Sequence, residues 1–248
     1  MEQFDAVVLA AGRLAPADAA RVGCDVKALV SIGAATPLQT LLLALRGCGS
    51  IHDVFVVCPS GTKDLIGDAR FIEEKESGQS NLLAGLATAA TRRVLVCASD
   101  APFVNAAHIR EFLALIPADT DFAYPVFFRE EFLAEFPSGR TRFARVGKSF
   151  WTGGSLCLLN RSLALEHATL ISRAFVARRS LPAMASLLGV EVLLRYATGT
   201  LHVAHIERRL SRLTKGVARA IRGAHPALAM DCDSVSDIEY SRAHAART

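Results

Sequence analysis

Apolar residues first gather at Phe4-Asp5-Ala6-Val7-Val8-Leu9-Ala10, a run too short for a helix and closed by Ala11-Gly12. It predicts a buried central strand that stops where small residues let a ligand approach the backbone. Polar and small residues to about Lys27 read as a loop. Pro37 to Leu45 has helical spacing and is terminated by Gly47 and Gly49. Asp53-Val54-Phe55-Val56-Val57-Cys58, closed by Pro59, predicts a second strand. Ser80 to Ala90 reads as a helix, Val94-Leu95-Val96-Cys97 as a third strand, and Ala106 to Ile116 as a helix stopped by Pro117. Such alternation implies a mostly parallel sheet covered on both faces. From Asp121 the rhythm changes. Phe122 to Pro125, Arg142 to Val146 and Leu156 to Leu159 read as strands, the last two flanking a turn at Trp151-Thr152-Gly153-Gly154. Helices over Arg161 to Ala177 and Pro182 to Leu188, a strand over Glu191 to Tyr196 and a helix over Ser234 to Ala245 complete the pattern. With no linker, low-complexity tract or repeat, the expectation is one domain over 1–248, elaborated at about 125–200.

Composition narrows the class. Hydrophobic residues at 51% and charged residues at 21% exclude intrinsic disorder, and only 7% aromatics argues against an all-β fold. No apolar stretch is long enough to cross a membrane, and the opening residues lack the basic segment of an export signal, so a cytoplasmic protein is expected. The six cysteines are scattered without a Cys-x-x-Cys pair and read as small core residues. Lys and Arg outnumber Asp and Glu by 28 to 24, an excess that suits an anionic small molecule as readily as nucleic acid. Arg208, Arg212, Lys215, Arg219 and Arg222 would form one basic stripe if helical, which reads first as a solvated face; nucleic acid is not the expected partner. Oligomeric state is not written in the sequence.

In an open α/β sheet, ligands bind beyond the carboxyl ends of the strands where strand order reverses. The loop after the first strand offers Leu9, Ala10, Ala11 and Gly12, whose backbone can face an anion, and the cations Arg13, Arg21 and Lys27. No Gly-x-x-x-x-Gly-Lys-Ser/Thr or Gly-x-Gly-x-x-Gly motif is present, which counts against a P-loop ATPase or a Rossmann dehydrogenase. After the third strand, Ser99-Asp100-Ala101-Pro102 places an acid that is either a first ligand for Mg²⁺ or a turn-forming aspartate. Asp231-Cys232-Asp233 supplies a second acid, with one of these acids expected to cap the last helix and Ser234 as the competing cap. Gly78-Gln79-Ser80-Asn81, entering a helix with Gly85 in it, can meet a base edge or cap that helix.

Taken in order, Leu9-Ala10-Ala11-Gly12-Arg13, Lys27-Ala28-Leu29, Gly78 to Leu86, Ser99 to Pro102 and Asp231 to Glu239 resemble NTP transferases related to molybdenum-cofactor guanylyltransferase, the MobA-like nucleotidyltransferases. Sugar-phosphate and isoprenoid-precursor nucleotidyltransferases share the order. The resemblance implies a GT-A-like, Rossmann-like α/β fold with a mixed, mostly parallel sheet flanked by helices. It also implies a triphosphate held by the first loop with Lys27 and Arg13 or Arg21, a base contacted by Gly78, Ser80, Asn81 and Gly85, and Mg²⁺ on Asp100 and Asp233. Asp231 is the other candidate. The chain departs from the family in the extra residues before Arg21 and Lys27, and in Val235, which stands where the family has proline.

The expected reaction is transfer of a nucleoside monophosphate from an NTP to a small-molecule acceptor phosphate or hydroxyl, with pyrophosphate leaving. The acceptor is expected near Thr152, Gly153 and Gly154, where a plain hairpin turn is the alternative. A GT-A-type glycosyltransferase using Asp231-Cys232-Asp233, or a non-catalytic nucleotide-binding protein, are the competing readings; the acceptor and the base are not legible.

Overall fold

The computed structural model describes residues 2–177 and 180–247. Strand β1 (Phe4–Leu9) opens the chain, as its apolar run requires. The segment read as a loop contains helix α1 (Pro16–Val22), with Pro16 in its first turn and Gly23 at φ 75° beyond its end. None of its residues is buried, so no apolar periodicity announced it. Helix α2 (Pro37–Gly47), strands β2 (Ile51–Cys58) and β3 (Arg70–Glu73), helix α3 (Gly78–Thr88), strand β4 (Arg93–Ala98) and helix α4 (Ala106–Ala114) follow. The short, largely polar β3 escapes a hydrophobic-pattern reading.

The second half comprises β5 (Phe122–Phe128), α5 (Arg129–Glu135), β6 (Ala144–Val146), β7 (Ser149–Gly153), β8 (Leu156–Asn160), α6 (Arg161–Glu166), α7 (Ala168–Ala177), α8 (Leu181–Leu188), α9 (Val190–Ala197), α10 (Val203–Thr214), β9 (Ala218–Ile221) and α11 (Val235–Ala245). Several expectations need correcting here. Trp151, Thr152 and Gly153 belong to strand β7, and the turn lies earlier, at Gly147 with φ 64°. Glu191 to Tyr196 is helical: Val192, Leu193 and Tyr196 face a cluster with Leu188 and Leu201, and Glu191 pairs with Arg195 one turn on. The helix from Arg161 is two helices, divided at His167. The basic stripe is broken as well, because α10 ends at Thr214, Lys215 takes a left-handed conformation, Arg219 lies on β9 and Arg222 lies beyond it.

The sheet runs β3-β2-β1-β4-β8-β5-β7-β6, with β9 also paired to β5. β1 to β4 are mutually parallel, β8 is antiparallel to both β4 and β5, and β9 is parallel to β5, so β1 to β5 and β9 share one direction. Alternation along the central strands divides the core into two layers. Val7, Phe55, Val57, Val94 and Val96 face Leu82 and Leu86 of α3, while Ala6, Val8, Val56, Leu95 and Cys97 face Leu38, Leu41 and Leu45 of α2 with Ile109 and Phe112 of α4. Burial of these side chains, worth about 1.5–3 kcal/mol for each large one, fixes the ends of β1 and β4 level with each other, Leu9 opposite Ala98. All six cysteines are free, as their spacing implied. No helix among the described residues is long and apolar enough to cross a membrane.

Candidate active site

β2 continues the sheet beyond β1, and β8 beyond β4, so strand order reverses between β1 and β4, and the crevice outside the carboxyl ends of such strands is where an open α/β sheet takes its ligands. The Ser99 hydroxyl donates to the Leu9 carbonyl at 2.8 Å and ties the two strand exits together. The Ala10 amide donates to the Val57 carbonyl at 2.8 Å, and the chain then passes Ala11 and Gly12 into an antiparallel bridge between Arg13 and Val26. Across this bridge the Leu14 amide donates to Asp25 at 2.8 Å and the Lys27 amide to Gly12 at 3.0 Å. The extra residues before Lys27 are thus taken up by α1, and Lys27 returns to lie across from Gly12.

Three carboxylates gather beside it. The Asp100 carbonyl accepts the Cys232 amide at 2.9 Å, a backbone bond that docks the segment before α11 onto the exit of β4. Asp231 accepts the Ser155 hydroxyl. Burial and then the facing charge of Asp100 push the Asp231 carboxyl well above its ordinary value; Asp233 adds to this, while Ser155 and Lys27 oppose it. Asp233, exposed at 60%, pairs with the Lys27 ammonium, itself only 14% exposed. Ser234 is the N-cap of α11, in a reciprocal box with Asp237, so the two acids before it are not needed as caps. These are hard oxygen donors of the kind a divalent ion such as Mg²⁺ takes, and Asp231 feels the charge of both Asp100 and Asp233, though the three carboxylates do not bring one oxygen each within 4.8 Å of one another.

The remaining site residues divide. Arg13 donates to the Ala11 carbonyl at 2.9 Å and pairs with Glu74 at 2.7 Å and Asp25 at 3.3 Å, which keeps it at the crevice mouth. Arg21 lies on α1 and pairs with Glu239 of α11 at 3.2 Å. Gly78 begins α3, but its cap is Ser77, whose hydroxyl accepts the Ser80 amide at 3.1 Å and meets the Ser80 hydroxyl at 2.9 Å. Asn81 is buried and accepts the Lys75 amide at 2.5 Å, so it holds the preceding turn. Gly85 is buried against Val7, where an added methyl would collide with the valine; helix-to-sheet packing accounts for it.

Thr152 is buried and meets Thr141 at 3.0 Å. Gly153 lies under the Tyr124 ring, and a methyl on Gly154 would come within 3.0 Å of the Leu228 carbonyl. Beyond them Trp151 packs tilted against Phe128, with centroids 3.9 Å apart and planes 36° from parallel, and the exposed Arg222 lies over both rings at 5.2 and 4.8 Å. Sequence reasoning passed over Ser155, for which the Gly153-Gly154 pair ahead of it was the available signal, since close-packed glycines bring the next backbone against a neighbour. Arg222 was read only as one member of the basic stripe, because β9 was not foreseen.

Asp5, His52 and Asp53 bring one potential ligand atom each within 4.8 Å of one another. They sit at the other end of β1, and their bonds are already committed. The Asp5 carboxylate accepts the Ala90 and Thr91 amides at 2.6 and 3.0 Å, and Arg70 pairs with Asp53 at 2.9 Å. That donor set is an ion-pair knot closing the bottom of the sheet.

The sequence model of the MobA-like NTP transferase domain matches residues 6–195. The chain belongs to that family. Among solved structures, this MobA-like chain is similar to a hypothetical transferase from Thermus thermophilus, with 30% identity over 95% of this chain and 99% of that one and a TM-score of 0.81. It shares its fold with 2-C-methyl-D-erythritol 4-phosphate cytidylyltransferase, also from Thermus thermophilus, at 19% identity, coverage of 98% and 99%, and a TM-score of 0.57. The same holds for CMP:2-keto-3-deoxy-manno-octonic acid synthetase complexed with CTP, at 13% identity, 99% coverage of both chains and a TM-score of 0.61. No curated protein matches this sequence.

Proposed function

We propose that this MobA-like chain transfers a nucleoside monophosphate from an NTP to a small-molecule acceptor bearing a phosphate or hydroxyl, with release of pyrophosphate. The observation that carries the reading is the Cys232–Asp100 backbone bond, which sets Asp231 and Asp233 beside Asp100 and Lys27 at the strand-order reversal. Transfer of this kind needs alignment and charge neutralisation and no protein nucleophile. A divalent cation such as Mg²⁺, held by Asp100 with the Asp231–Asp233 segment, supplies Lewis acidity toward the phosphate oxygens when bound.

The protein's own residues do the rest. Lys27 exchanges Asp233 for a phosphate oxygen of the NTP, which offsets charge on the leaving pyrophosphate and returns the Asp233 carboxylate to the cation site. Arg13, released from Glu74, adds a second positive charge at the mouth. The N-terminus of α3, at Gly78 and Gln79, faces the base, and Ser77 and Asn81 keep that turn rigid. The acceptor enters past Gly153 and Gly154, where Arg222 on its aromatic seat holds an anionic group.

Thermal-shift titration with ATP, GTP, CTP and UTP in Mg²⁺ identifies the nucleotide, CTP being tested first because two structural relatives are named for cytidyl chemistry or CTP. A ligand at about a hundred times its Kd adds about 2.7 kcal/mol to the stability of the native state. Pyrophosphate release with that NTP and a panel of phosphorylated and hydroxyl acceptors then tests turnover. Unchanged release in Asp100→Ala overturns the assigned role of that carboxylate, and absence of any shift with all four nucleotides overturns the reading itself.

A further inference from the structure

His108 and His225 stack with ring centroids 3.9 Å apart and planes within 10° of parallel. They belong to the two segments that carry the site's carboxylates. His108 lies in the first turn of α4, which the chain reaches from Asp100 through the buried Ala101 and Val104. His225 opens the 3-10 turn Pro226–Ala229, buried from Ala227 onward, which runs into Met230 and Asp231. The stack therefore joins at one end the two segments that the Cys232–Asp100 bond joins at the other.

In both rings Nδ1 accepts a backbone amide, from Asn105 at 3.4 Å in His108 and from Ala227 at 3.2 Å in His225. A ring nitrogen that accepts keeps its lone pair, so in this arrangement neither ring has its proton on Nδ1, and the other nitrogen of His108, Nε2, lies 3.2 Å from the Asn105 side-chain amide nitrogen. A proton on Nδ1 would cost an amide bond and place a cation face to face with the other ring. Among the groups around His108, burial and His225 hold its pKa below the ordinary 6.5, outweighing Glu111 on its own helix, Glu135 on α5 and the Phe103 carbonyl, which favour the cation. The 3-10 turn also transmits its position. The Leu228 amide donates to the His225 carbonyl at 3.1 Å, and the Leu228 carbonyl accepts the amide of Ser155, whose hydroxyl holds Asp231.

We propose that the stacked His108–His225 pair is a proton-sensitive clasp: neutral, it holds the Asp100 and Asp231 segments in register, and protonation lets them part. His108 and His225 are thus positioning residues, and their effect on the site rests on the cation placement proposed above.

Two measurements keep the clasp and the cation site distinguishable. In the metal-free chain, nuclear magnetic resonance follows the ring protons of His108 and His225 together with amide exchange at Ala227. Titration of His108 below 6.5, sensed by His225 and accompanied by roughly tenfold faster Ala227 exchange, is the expected result. Independent titration at 6.5 with unchanged exchange overturns the clasp. Mn²⁺ affinity, read by electron paramagnetic resonance between about pH 8 and about pH 5.5, is then compared in the wild type, His108→Phe and Asp100→Asn. His108→Phe keeps an aromatic stack without a titrating ring, and a shallower pH dependence than wild type is expected. An equal dependence in both overturns the coupling of the clasp to the site. Equal, negligible Mn²⁺ binding by the wild type and Asp100→Asn at the higher pH overturns the cation site, leaving the resonance titration to judge the clasp alone.

Discussion

In the proposed reaction Lys27 is the cation for which Asp233 and an incoming triphosphate compete, and its low exposure makes that charge hard to replace from solvent. Lys27→Met should lower kcat/KM for the NTP at least about a hundredfold, the scale of losing one preorganised charge from such a site. Arg21→Ala should stay within about twofold, since an exposed pair such as Arg21–Glu239 contributes little. Arg13→Ala should fall between, chiefly through KM; steady-state kinetics on the three variants checks the order. These residues were legible as types before they were legible as places. Lys27, Asp100 and Asp233 were singled out by their order along the chain and the resemblance, since a cation or an acid at a strand exit can also be a surface charge or a turn residue. The bridge that sets Arg13 across from Val26, while Arg21 lies on α1, is encoded by no local spacing. Gly85 was drawn toward the nucleotide by its neighbours, whereas its small size serves Val7.

Among the elements, α3 lies so close to β1 that one methyl group decides the fit. Gly85→Ala should cost about 1–3 kcal/mol, seen as a Tm lower by roughly 2–10 °C, while Gly61→Ala, with open space around it, should cost far less. The amino end of β1 sets an acid limit. Burial pushes the Asp5 carboxyl up, but the Ala90 and Thr91 amides and His52 together bring it below its ordinary 3.8. A carboxyl depressed by folding contributes stability that is complete above 3.8 and is lost as pH falls through the folded value. Urea midpoints followed from neutral to acid pH should therefore fall less steeply below 3.8 in Asp5→Asn than in the wild type. At neutral pH that variant should already be less stable by about 1–3 kcal/mol.

The unbroken apolar runs of β1, β2 and β4 and the helical apolar spacing of α2 and α4 were legible in outline. The elements that were not legible fail for physical reasons. β7 contains two aromatics and a glycine that suggest a turn, and α9 carries a short apolar pattern that length and period alone leave ambiguous.

At the scale of the molecule, strand order is what turns scattered residues into a site. The hydrophobic rhythm of the first half announces a parallel sheet, but the reversal between β1 and β4 depends on long-range pairing and became visible only in the fold. Helices α8 to α10 form a small apolar cluster around Leu188, Val192 and Leu201 with Val146 of β6, separate from the cores on the two faces of the central strands. If the crevice is one cooperative unit, Asp231→Asn should abolish the stabilisation conferred by NTP with Mg²⁺ while leaving the urea midpoint of the unliganded protein unchanged or higher. The mutation removes a buried charge that opposes Asp100. Paired thermal and urea unfolding checks both halves of that expectation.

The bond between Cys232 and Asp100 also orders events during synthesis. A ribosome that has made β1, Lys27 and Asp100 has yet to supply the partner carboxylates, and a nascent chain stalled before Pro226 carries half of a crevice. Arrested chains of that length should not turn over NTP, whereas chains extended beyond α11 and clear of the exit tunnel should. Competence would arrive in a single step, late, when the tail of the fold closes over its beginning.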